Sequence, residues 1–184
     1  MLTHKFIVIG PGRTGSILVA RALSDILGKE IKYINANNVN VGIDDKDWIV
    51  HCHDCNLVIP NKSEWVQIVS RRRDIFKGAI SHINTEITNE HNRYSNRKFP
   101  QNYISIETFA TILQQRNIFY DNLDYNGYAK VVDIYLEDVL QYPYHLFEKL
   151  GANIKMPIWT EKCPYDKELI SNIDDLEKYY LENY

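Results

Sequence analysis

The chain has 184 residues, of which 45% are hydrophobic, and a formal net charge of −3 at neutral pH. That length suits one domain with at most a small appendage, and the composition fills a real core. The near balance of charge gives no general pull toward nucleic acid or acidic membranes, so any basic site is local.

The three cysteines, Cys52, Cys55 and Cys163, are too few and odd in number for a disulfide framework. The first long apolar run, Phe6–Ile9, is too short for a signal-peptide core or a membrane span. A soluble, cytoplasmic protein is the expectation.

In chain order, residues 5–9 read as a buried parallel strand. Ser16–Leu27 follows with apolar residues at helical spacing, and Gly28 suits the position just past a helix end. Ile31–Ile34 is a second strand, Asn35–Asp47 a polar loop, and Trp48–His53 a third strand. Trp65–Ser70 is a fourth strand and Asp74–Ile83 a helix. Residues 84–102, rich in Asn, Arg and His, read as an exposed loop or lid. Ile104–Phe119 is a helix, Lys130–Tyr135 a fifth strand, and Glu137–Leu150 a helix closed by Gly151. A last helix covers Asp174–Leu181. Strands alternating with helices predict an α/β fold with a central parallel sheet flanked by helices.

The chemistry concentrates first in Gly10-Pro11-Gly12-Arg13-Thr14-Gly15-Ser16, between the first strand and the first helix. Backbone amides of such a turn, with the helix N-terminus behind them, face a bound anion. The pattern matches G-x-G-x-x-G of dinucleotide sites. Such a site wants a carboxylate about 20 positions on, where this chain has Asn35-Ala36-Asn37-Asn38. The pattern also matches most of a Walker loop, but the lysine before Ser16 is absent, and with it the usual cation for a γ-phosphate. A glycine turn that binds nothing is the bland reading, and Arg13 inside the turn weighs against it.

A second cationic cluster, Arg71-Arg72-Arg73-Asp74, precedes Ser81 by about ten residues and suits a second phosphate. A solvated basic strand end is its bland reading. Two phosphate sites on one chain suggest a nucleotide phosphorylated at both ends of its ribose.

Arg13-Thr14-Gly15-Ser16 resembles the 5′-phosphosulfate loop of sulfotransferases. Those enzymes use 3′-phosphoadenosine 5′-phosphosulfate (PAPS) and need no metal. Arg71 to Ser81 resembles the family's 3′-phosphate segment, closest to the bacterial trehalose-sulfotransferase type. His51-Cys52-His53 stands where cytosolic members carry Lys-Thr-His, with His53 at the catalytic base and His51 in place of the lysine. Val131–Leu140, then Pro143, Leu150 and Gly151, resembles a later strand and helix of the family. Ile170–Leu176 is similar to the closing motif of bacterial relatives. The matches run in the family's order over most of the chain.

The resemblance implies a three-layer fold like that of P-loop NTPases, in a single domain over 1–184, with residues 84–102 near the acceptor. It implies 5′-phosphate contacts from Gly12, Arg13, Thr14, Gly15 and Ser16. Arg71 or Arg72 with Ser81 would take the 3′-phosphate, and His53 and Arg13 would be catalytic. The implied partner is a small-molecule or carbohydrate acceptor, with no nucleic acid, membrane or metal. Two alternatives stand beside this reading: a PAP- or PAPS-binding protein of the same fold without catalysis, and an NAD-type oxidoreductase. Zinc at His51, Cys52, His53 and Cys55 is a further candidate. One short strand segment cannot wrap a tetrahedral ion, so Cys163 or His82 would have to join. These residues also read simply as buried strand positions.

Overall fold

Phe6, Ile7, Val8 and Ile9 are each at most 2% exposed, which only a strand covered on both faces allows. They form β1 (Lys5–Ile9), the centre of a five-stranded parallel sheet with β2 (Ile31–Ile34), β3 (Ile49–Cys52), β4 (Trp65–Arg71) and β5 (Lys130–Tyr135). The spatial order is β2-β3-β1-β4-β5, and every neighbouring pair is parallel. The structure is a computed structural model that describes residues 4–34, 42–88, 99–142, 144–155 and 167–184. Asn35–Asn38, residues 89–98 of the expected lid, Pro143 and Cys163 lie outside the described residues.

The chain divides into two compact units. The first is Met1–Arg73 with Phe119–Trp159, and the second is Asp74–Ile118 with Thr160–Tyr184. In the first, α1 (Ser16–Leu27) lays Val19, Ala20, Ala22 and Leu23 on the sheet face that carries Phe6, Val8, Ile49, Val66 and Ile68. Val139 of α4 (Leu136–Gln141) and Leu146 and Phe147 of α5 (His145–Lys149) complete that cluster. The opposite face carries Ile7, Ile9, Val50, Trp65 and Val69, covered by Ile59, Phe119 and Leu123. Each Val, Leu, Ile or Phe side chain among these contributes about 1.5–3 kcal/mol on burial.

The five strands of the sheet and α1 lie where apolar spacing predicts, within one or two residues. The expected helix 137–150 is two helices. Tyr142, which precedes Pro143, sits at φ −128°, ψ 103°, as the crowding of a following proline ring demands. Gly151 closes α5 at φ 80°.

In the second unit, α2 (Ile75–Thr88) outlasts its expected end by five residues. Its polar residues do not break it, because Thr85 Oγ1 donates to the Ser81 carbonyl at 2.9 Å and Thr88 Oγ1 to that of Asn84 at 2.7 Å. Asp74 caps its start, accepting the Lys77 amide at 2.8 Å. Phe76, Ala79, Ile80 and Ile83 pack with Phe109, Ile112 and Leu113 of α3 (Ile106–Asp121) and with Leu176 of α6 (Ile173–Asn183). Asn172, in the closing motif, exchanges two hydrogen bonds with the Ile104 backbone at 3.0 and 2.8 Å. That motif therefore pins the tail to the start of α3. Among the described residues no helix is long and apolar enough to cross a membrane.

Candidate functional site

β1 delivers the glycine loop to the carboxyl end of the parallel sheet, the end at which open α/β sheets hold ligands. Gly10 continues the ladder, donating to the Cys52 carbonyl at 3.4 Å. A Cβ there would lie 2.6 Å from the Ser70 carbonyl oxygen and 2.8 Å from Thr14 Oγ1, so only glycine fits. Arg13 at φ 67° and Gly15 at φ 81° are both left-handed. Gly15 is the N-cap of α1 and offers no side chain to its first amides.

The end of β4 braces this turn. Ser70 Oγ donates to the Thr14 carbonyl at 2.7 Å, and Arg72 Nη1 to the Arg13 carbonyl at 3.3 Å. Tyr120 Oη donates to the Ser70 carbonyl at 3.0 Å. The left-handed Arg13, which costs roughly 1–2 kcal/mol by itself, is thus held by groups on another strand. Thr14 is fully buried, and its hydroxyl donates to the Pro11 carbonyl at 2.9 Å. Its side-chain proton is committed within the loop, and its contribution to an anion falls to the backbone.

β3 lies beside β1 with His51 opposite Val8. That register brings His51 Nε2 to 2.9 Å from Ser16 Oγ, a pair that sequence reading did not join. His51 is 6% exposed, and burial, aided by the nearby His53 and Arg21 charges, lowers its pKa to about 3. It is a neutral imidazole. His53, one residue past the strand, is exposed, and its ring stands edge-on to that of His51 at 4.6 Å. His53 Nδ1 lies 2.6 Å from the Gly10 carbonyl oxygen. A carbonyl only accepts, so Nδ1 carries the proton, and in the neutral ring Nε2 is the basic nitrogen.

The three arginines have different surroundings. Arg71 pairs with Asp133, donates to Tyr125 Oη at 3.1 Å and stacks 4.4 Å over the Tyr120 ring. Arg73 makes a two-pronged pair with Asp138 at 3.1 and 2.6 Å and lies over Tyr135. Arg72 is 9% exposed, with Nε 3.6 Å from Glu137 Oε1. That Nε is buried and makes no hydrogen bond among the described residues. Ser81, the expected partner for a 3′-phosphate, belongs to the second unit and is fully buried on α2.

No protein-family model matches the chain, and no curated protein or solved structure matches it.

The acids that engage the arginines, Asp133, Glu137 and Asp138, went unassigned in the sequence. Their signal was present in Asp133-Ile134-Tyr135-Leu136-Glu137-Asp138, but only the pairing of Val69 with Asp133 and Arg71 with Tyr135 shows which arginines they meet. Among the described residues no group of three or more His, Cys, Asp or Glu side chains is placed to hold a metal. Cys52 is a buried thiol with its pKa pushed up to about 11, chiefly by burial. The sheet order also departs from that of dinucleotide-binding sheets, in which β1 and β2 are neighbours. Here β3 lies between them.

Proposed function

We propose that the chain is a sulfotransferase that moves the sulfuryl group of PAPS to a hydroxyl or amine on a small polar or carbohydrate acceptor. The observation that carries this reading is the hydrogen bond from His53 Nδ1 to the Gly10 carbonyl. It ties a candidate base to the loop suited to a 5′-phosphate, and it leaves Nε2 as the basic nitrogen.

The residues fit such a nucleotide. Backbone amides of Gly12 to Ser16 would hold the 5′-phosphate, and Arg13 would offset charge gathering on it as the leaving group. Arg13 keeps its own proton throughout, since an arginine is not an acid at working pH. Arg72, which reaches the loop at the Arg13 carbonyl and whose Nε lies 3.6 Å from Glu137 without a hydrogen bond among the described residues, is the better candidate donor for a 3′-phosphate than Arg71, which Asp133 and Tyr125 engage by hydrogen bonds. The nucleotide supplies the sulfuryl group, whose bond to the 5′-phosphate breaks as the acceptor oxygen attacks. His53 Nε2 would accept the proton released by that oxygen, and the Gly10 carbonyl would hold the imidazolium in place.

One observation favours a second reading. The neutral His51 stands where the family carries a lysine, so a second cation at the sulfuryl group is missing. A protein that binds PAP without turnover would tolerate that loss. Calorimetric titration with PAP, using AMP and NAD as controls, tests both readings. Micromolar PAP binding with much weaker AMP and NAD binding is expected. A folded protein indifferent to PAP refutes both. Binding without PAPS turnover across an acceptor panel selects the second.

A further inference from the structure

The pair Ser16 Oγ and His51 Nε2 is unused by the chemistry above. A serine hydroxyl has one proton and two lone pairs. If His51 Nε2 accepts, the proton of Ser16 is consumed inward and the hydroxyl offers only lone pairs outward. If Nε2–H donates, a lone pair is used inward and the proton is left for an anion. The two arrangements have opposite ligand preferences.

In Walker-type sites the hydroxyl at this point of the loop meets a carboxylate and a magnesium ion. The carboxylate can only accept, so the serine proton goes to it and a lone pair goes to the metal. An anion bound without a bridging metal needs the reverse polarity. An imidazole can supply it and a carboxylate cannot. His51 occupies the strand position beside the loop, paired with Val8 of β1 on one side and Tyr33 of β2 on the other. Its surroundings keep it neutral and oriented. The Tyr33 ring stands edge-on at 5.6 Å, the His53 ring at 4.6 Å, and the Arg21 charge discourages protonation.

We propose that His51 is a positioning residue that donates its Nε2–H to Ser16 Oγ, turning the serine proton toward a phosphate bound without a metal. His51 and His53 then hold opposite tautomers, Nε2–H and Nδ1–H, within one ring contact. The assignment of the ligand rests on the PAPS reading; the assignment of the tautomers does not. The consequence is a specificity rule: the loop selects a bare phosphate ester over a magnesium–nucleoside triphosphate.

The test pairs imidazole nitrogen NMR of the full chain with PAP titration of two variants. Long-range proton–nitrogen spectra should show the Nε2–H pattern for His51 and the Nδ1–H pattern for His53. His51→Gln places an amide N–H near the same point and should retain PAP affinity within about threefold. His51→Asp can only accept and adds charge, and should lose about tenfold or more, equivalent to about 1.4 kcal/mol. Circular dichroism confirms that each variant is folded. An Nδ1–H pattern at His51, or equal losses in the Gln and Asp variants, overturns the proposal. A folded wild-type chain with Nε2–H at His51 that ignores PAP overturns the PAPS reading alone. Titration with inorganic phosphate then decides the polarity of Ser16, with the same ordering of variants expected and equal affinities refuting it.

Discussion

Acidification from pH 7 to pH 5 should destabilise this protein through His51, and the size of that contribution follows from its burial. His51 titrates near 6.5 in an unfolded chain and near 3 in the folded one, because burial and then the His53 and Arg21 charges disfavour its cation. Between those values the unfolded state binds more protons, so stability rises with pH. The contribution is complete above about pH 6.5 and is lost progressively as pH falls toward 3. Integrating the linkage from pH 7 to pH 5 gives a loss of about 2 kcal/mol from this group alone. Urea unfolding followed by tryptophan fluorescence reads it, since Trp65 is 1% exposed in the sheet core. With a slope of about 2 kcal/mol per molar urea, the midpoint should fall by about 1 M. The control is His51→Gln, which cannot be protonated but leaves every other titrating group in place. Its midpoint should fall by much less over the same interval. Equal falls in wild type and variant would refute the claim that a buried neutral His51 governs the acid limb.

Three other perturbations have signed outcomes. Gly10→Ala places a methyl against the Ser70 carbonyl and Thr14 Oγ1, and should cost about 1–3 kcal/mol in urea unfolding; an unchanged midpoint refutes the close approach. Arg13→Gly removes a left-handed side chain at φ 67° and should leave stability unchanged or raised by about 1 kcal/mol, while PAP affinity falls at least about tenfold. A variant that loses stability and keeps affinity reverses both arguments. Arg72→Lys keeps charge but removes the buried Nε donor. Calorimetry should show PAP affinity down by about tenfold, the value of one hydrogen bond to a charged group, and AMP affinity within about twofold. Equal losses would move the 3′-phosphate contact elsewhere.

The sheet was legible because its strands are short apolar runs bounded by polar turns, and a parallel strand buried on both faces must look that way. α1 was legible for a related reason, with a glycine at each end and a full apolar stripe between. Strand order was not legible. Nothing in Phe6–Ile9 or Ile49–Cys52 says that β3 rather than β2 lies beside β1, and the His51–Ser16 pair depends on that adjacency. The end of α2 is not legible because Asn84, Thr85 and Thr88 read as loop residues. In the structure the hydroxyls of Thr85 and Thr88 donate to the Ser81 and Asn84 carbonyls one helical turn back. The split between α4 and α5 was marked by Pro143, whose effect falls on Tyr142. Within the site, Gly10 to Ser16 and His53 were readable as a motif. Their hydrogen bonds were not, since those join positions 35 to 59 residues apart.

The arginine run looked like a strongly cationic site, and the fold changes what it can do. Each of its three guanidiniums faces a carboxylate from β5 or α4: Arg71 faces Asp133, Arg72 faces Glu137, and Arg73 faces Asp138. Three positive and three negative charges leave little net field, so the cluster cannot draw in polyanions over long range. What survives is directional. Arg72 reaches the loop from a strand neighbour, holds the carbonyl of the left-handed Arg13, and keeps a buried N–H without a hydrogen bond among the described residues. A site of that kind discriminates by geometry rather than by charge. Its preference for one anion over another would come from where the guanidinium N–H groups point, and the carboxylates of Asp133, Glu137 and Asp138 hold those side chains in place.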